Sequence, residues 1–137
     1  MFFKKNKDKD NDNNFIKVAA LLIHAAKIDE NFSEHEENII KQALLKIRSN
    51  NQNIEDIIKK AKEIEENTNQ ILDFTKEVKS MSEENKMQII ETLWRIIYSN
   101  KEADIYETNL MRRLGGLLYI DNKIMGDIKE KIKKENS

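Results

Sequence analysis

At 137 residues, 39% of them hydrophobic, the chain has the material for one domain around one core. It contains no cysteine, which excludes disulfides, thiolate metal sites and cysteine nucleophiles. Its 24 basic and 25 acidic residues are interleaved to a net charge of −1, which leaves no basic field for nucleic acid to follow.

The first stretch, MFFKKNKDKDNDNN, carries a charge run where a signal peptide would need apolar residues, so residues 1–13 read as a disordered polar tail and the chain as cytoplasmic. Phe2 and Phe3, followed by Lys4 and Lys5, offer at most a small peripheral membrane anchor. No window approaches the roughly 20 apolar residues of a membrane span. The best of them, 15–28, is interrupted by Lys17, His24 and Lys27.

From residue 14 to 135 the pattern is helical throughout. Proline is absent and glycine occurs three times, as expected of helices joined by short polar turns. Apolar residues recur at three- and four-residue spacing: Phe15, Val18, Ala19, Leu22, Ile23 and Ala26 first, then Ile39, Ile40, Ala43, Leu44 and Ile47. Further stripes run through Ile54, Ile57, Ile58, Ala61 and Ile64, then Ile71, Phe74 and Val78, then Ile89, Ile90, Leu93, Trp94 and Ile97. Leu110, Met111, Leu114, Leu117 and Leu118 make the sixth, and Ile124, Ile128 and Ile132 the last. The spacing predicts an all-α bundle of about seven helices, with Trp94, Phe74 and Tyr106 on or beside the core stripes.

Ser33 followed by Glu36 has the form of a capping box, and Asp104 with Glu107 repeats it; Asn53, Thr68 or Asn69, Ser82 and Asp121 stand where further caps belong. Shifting the chain by 71 positions sets Leu22-Ile23 on Leu93-Trp94, Asp29 on Asn100, Ser33 on Asp104, Glu36 on Glu107 and Ile39-Ile40 on Leu110-Met111. Two equivalent helix–corner–helix units follow, each with an apolar face it cannot bury alone, so they are expected to pack about a pseudo-two-fold axis.

Ala26 through Asp29 and Ser33 to Glu36, with its second copy from Asn100 through Asp104 to Glu107, resembles the bacterial TerB-like domain family, named for tellurite-resistance protein TerB. Leu72-Asp73-Phe74-Thr75 and Leu93-Trp94-Arg95-Ile96 are similar to its uncharacterised bacterial branch. The resemblance, over residues 15 to 133, implies an all-helical fold, a part in stress responses, and a role for the acidic positions in metal binding or partner contact. The family's Asp-Gly pair appears here as Asp29-Glu30 and Asn100-Lys101, so both corners lack the glycine and the second lacks the leading carboxylate.

Asp29, Glu36, Asn100, Asp104 and Glu107 are the candidate ligands for a divalent cation. Their spacing is not that of the EF-hand loop, since the positions that would need glycine and glutamate are Glu34 and Ile40. Capping accounts for Ser33, Glu36, Asp104 and Glu107, and leaves Asp29 and Asn100 without a structural task. His24 and His35 are eleven positions apart and do not make the i, i+4 pair a helix offers zinc. Arg112 and Arg113 face away from the stripe of their helix and suit an acidic protein partner. No glycine-rich phosphate loop or nucleophile–base arrangement is legible, and Gly115-Gly116 within a helical stripe suggests close helix approach. The reading is a non-enzymatic module acting through protein contacts; the alternative is a metal sensor using the two acidic corners.

Overall fold

The computed structural model describes residues 15–27, 33–47, 53–67, 72–99 and 105–135. Those residues form seven helices and no strand: α1 over 15–26, α2 (Glu34–Ile47), α3 (Ile54–Asn67), α4 (Leu72–Lys79), α5 (Glu83–Tyr98), α6 (Ile105–Leu117) and α7 (Asn122–Glu135). The tail lies outside the described residues.

Two helices carry the centre. In α1, Phe15, Ile16, Ala20, Leu21 and Ala25 are buried along with the expected face of Val18, Ala19, Leu22, Ile23 and Ala26, so the helix is enclosed on nearly every side. A helix apolar all round belongs inside a bundle. In α5, Ile89, Ile90, Leu93, Trp94, Ile96 and Ile97 are buried, and the helix packs against both α2 and α7. α3 lies on α2, and α4 on α6. Each large apolar side chain fully buried contributes about 1.5–3 kcal/mol, so this core decides the fold.

Ion pairs tie the shell helices to it. Lys17 reaches Glu77 at 3.4 Å between α1 and α4, Lys41 reaches Glu55 at 2.8 Å between α2 and α3, and Lys131 reaches Glu91 at 2.9 Å between α7 and α5. Partly solvated pairs of this kind are worth about 0–1 kcal/mol each, which makes them guides to register more than sources of stability.

Helix ends follow the caps read from the sequence where they are described. Ser82 Oγ accepts the Asn85 N–H at 3.2 Å at the start of α5, and Asp121 Oδ1 accepts the Lys123 N–H at 3.3 Å at the start of α7. The end of α6 was not foreseen. There the Ile120 N–H bonds to the Gly115 carbonyl at 2.9 Å and the Tyr119 N–H to the Gly116 carbonyl at 3.3 Å, with Tyr119 at φ 57°. This is a Schellman ending with tyrosine where glycine is the usual residue.

Three expectations need correction. Tyr106, placed beside the core, is 74% exposed in the first turn of α6. In α7 the inward residue is Met125, which joins Ile128 and Ile132 in the core while Ile124 is exposed. Of the paired glycines only Gly115 serves close approach: a Cβ there would stand 3.4 Å from the Met125 side chain, whereas one on Gly116 would meet nothing within 4 Å.

Candidate functional site

At the first corner, Ser33 and Glu36 form the capping box. Glu36 Oε1 accepts the Ser33 N–H at 3.0 Å and the Ser33 hydroxyl at 3.1 Å, and Ser33 Oγ lies 3.2 Å from the Glu36 N–H. Glu36 is only 2% exposed, so its carboxylate is held by the cap it closes. Glu107, 71 positions later (107 − 36 = 71), is likewise buried in the first turn of α6. Asp29, Asn100 and Asp104 lie outside the described residues. Among the described residues no group of three or more His, Cys, Asp or Glu side chains is placed to hold a metal ion. Of the five candidate ligands, then, two are positioned, and one of these has an oxygen engaged by the backbone and hydroxyl of its cap.

A second charged cluster was missed. Glu65 on α3 is buried and lies 2.7 Å from Lys27 Nζ and 3.3 Å from His24 Nδ1, fastening α3 to the end of α1. The signal was available: Glu65 stands four residues after Ala61, on the face that α3 buries, where a carboxylate requires a partner.

Among the described residues the helix surfaces carry hollows, of which three bear on the site. One of about 240 Å³ opens between α2 and α5, with His35, Asn38, Gln42, Lys46, Gln88 and Arg95 in its lining. A broader one of about 470 Å³ lies along Tyr106, Asn109, Leu110 and Arg113 of α6. Those four residues stand 71 positions after His35, Asn38, Ile39 and Gln42, which line the first hollow (106 − 35, 109 − 38, 110 − 39, 113 − 42). The third, a cleft of about 170 Å³, is formed by α5, α6 and α7 and includes Trp94, Met111, Arg112, Met125 and Lys129. Arg112 and Arg113 are both exposed, yet they line different hollows, because successive helix residues diverge by about 100°.

Local fields follow from these placements. Trp94 stacks on Tyr98 with ring centroids 5.8 Å apart, and Lys129 Nζ sits 5.5 Å from the Trp94 ring centroid. Burial, reinforced by Glu130, pushes the Tyr98 phenol above its ordinary pKa. At the α6 ending, the Lys79 ammonium beside Tyr119 lowers that phenol. The hydrogen bond from Lys41 to Glu55 holds the Lys41 ammonium above its usual value.

The family model described as tellurite resistance protein TerB matches residues 15–130. The chain belongs to the TerB family. The TerB match begins at the first described residue of α1 and ends within α7, so it takes in both corners, the intervening α3 and α4, and all of the cleft lining up to Lys129. No curated protein and no solved structure matches the chain. Among the described residues of this TerB domain, no helix is long and apolar enough to cross a membrane.

Proposed function

We propose that this TerB domain is a non-enzymatic helical module of a bacterial stress response of the tellurite-resistance type, working in the cytoplasm through contacts with protein partners. The observation that carries the reading is the TerB match over residues 15–130. The geometry agrees with it: Glu36 is engaged in closing a helix cap, and the hollows on the helix surfaces are lined by arginine, lysine and amide side chains suited to receiving groups from another protein. The test is genetic. Deleting the gene in its host is expected to lower survival on sublethal tellurite, and re-expression of the chain to restore it, with partners recovered by crosslinking in the stressed cells. Equal survival of the deletion and parent strains across tellurite and oxidative stress overturns the stress role.

The metal-sensor reading has one observation in its favour. Glu36 and Glu107, equivalent under the 71-residue shift, are both buried at the first turns of their helices, where further oxygens from Asp29, Asn100 and Asp104 would have to complete a site. Calorimetric titration with calcium, magnesium, manganese and zinc separates the readings: a stoichiometric heat lost in Asp29→Asn favours the sensor.

A further inference from the structure

The cleft between α5, α6 and α7 holds hydrogen-bond donors that the fold leaves unused. Trp94 lines it and is only 3% exposed, yet its indole N–H has no acceptor among the described residues. Buried donors without partners are rare enough that each calls for an explanation. Arg112 on α6 and Lys129 on α7 line the same cleft without a carboxylate partner among the described residues. No acid is among the described residues that line the cleft; on the flanking helices Glu91 pairs with Lys131 and Arg95, and Glu135 with Arg95, while Glu130 acts on Tyr98. Positive charge is thereby concentrated at a hollow whose remaining surface includes two methionines, Met111 and Met125, side chains that adapt to an apolar stem.

Size narrows the occupant. At about 170 Å³ the cleft falls below the roughly 300–1,000 Å³ of sites that enclose a metabolite, and suits a single side chain presented by something larger. We propose that the cleft receives a carboxylate side chain from an acidic segment of a protein partner. The carboxylate lies between the Arg112 guanidinium and the Lys129 ammonium, and its methylenes rest on Met111 and Met125 beside Trp94. The proposal deepens the protein-contact reading above and rests on it. It also separates the two arginines: Arg112 recognises the acid, and Arg113, lining another hollow, does not.

Trp94 is the only tryptophan of the chain, so its emission reports directly on the cleft. The full chain is titrated with a blocked pentapeptide of glutamate and leucine, with its glutamine counterpart, and with inorganic phosphate. The expected result is a saturable change in Trp94 emission with the glutamate peptide and none with the glutamine peptide, weakened by salt. Arg112→Gln and Lys129→Gln are each expected to weaken binding about tenfold, the scale of one charged contact, and Arg113→Gln to leave it unchanged. Circular dichroism confirms that each variant is folded, and phosphate competing with the peptide agrees with the proposal. Phosphate binding without peptide binding, or no response at all in the wild type, overturns it. Peptide binding undiminished by Arg112→Gln also overturns the cleft, while leaving the protein-contact reading to stand on the crosslinking in stressed cells.

Discussion

Ser33 and Glu36 satisfy each other's backbone: the carboxylate takes the Ser33 N–H at 3.0 Å while the hydroxyl takes the Glu36 N–H at 3.2 Å. Each bond supplies a partner for an amide at a helix start that the helix itself cannot satisfy. Ser33→Ala is therefore expected to lower stability by about 0.5–2 kcal/mol in urea denaturation, with or without divalent cations. A loss that appears only when calcium, manganese or zinc is present would transfer the corner from structure to metal binding.

In the sequence Asp29 stands ahead of the capping box, which assigns it no task. Asp29→Asn is expected to leave the melting temperature in chelator close to that of the wild type. Across millimolar calcium, manganese and zinc the sensor reading requires the two proteins to diverge, because ligand stabilisation grows with the logarithm of ligand over dissociation constant. Parallel melting shifts would retire Asp29 as a ligand.

Glu65 fastens α3 to α1 through Lys27 and His24, and it is the buried member of the cluster. Glu65→Ala removes both charge-assisted bonds and is expected to cost about 1–3 kcal/mol, while its two partners, partly solvated, relax into water. Equilibrium unfolding gives the figure. A cost no larger than that of a surface substitution would show that the cluster sets register without stabilising it.

The tyrosines offer a pH measurement. Tyr119 is lowered by its bond with Lys79, so its contribution to stability is present above the unfolded value of about 10 and is lost as pH falls through its folded pKa. Tyr98 is raised by burial, so its contribution is present below about 10 and is lost as pH rises through its folded pKa. Ultraviolet titration of the phenolates should show an early step missing in Tyr119→Phe and a late step missing in Tyr98→Phe. The reverse assignment would contradict both environments.

The 71-residue shift makes a geometric prediction. α2 begins at Glu34 and α6 at Ile105 (105 − 34 = 71), and four of the α2 residues at the first hollow, His35, Asn38, Ile39 and Gln42, correspond to the α6 residues at the second. The pair α1–α2 is expected to superpose on α5–α6 by a rotation near two-fold in an experimental structure. Unrelated crossing angles would reduce the repeat to a resemblance of sequence.

Period and punctuation determined the helical class and its caps, because both are local. An apolar residue every three or four positions admits one regular conformation, and Ser33, Ser82 and Asp121 act on amides within three residues of themselves. What lies across from a helix is not local, and there the reading failed. Tyr106 and Ile124 sit beside apolar stripes yet face solvent, and Met125 turns inward where Gly115 makes room. Glu65 was passed over because its partners are 38 and 41 residues away. The two arginines show the division most plainly. Sequence places Arg112 and Arg113 on the outer side of one helix, but only the packing of α5 and α7 beside α6 sets Arg112 at the tryptophan cleft and leaves Arg113 on the other side, since a turn of about 100° per residue becomes a choice of neighbour once there are neighbours to choose between.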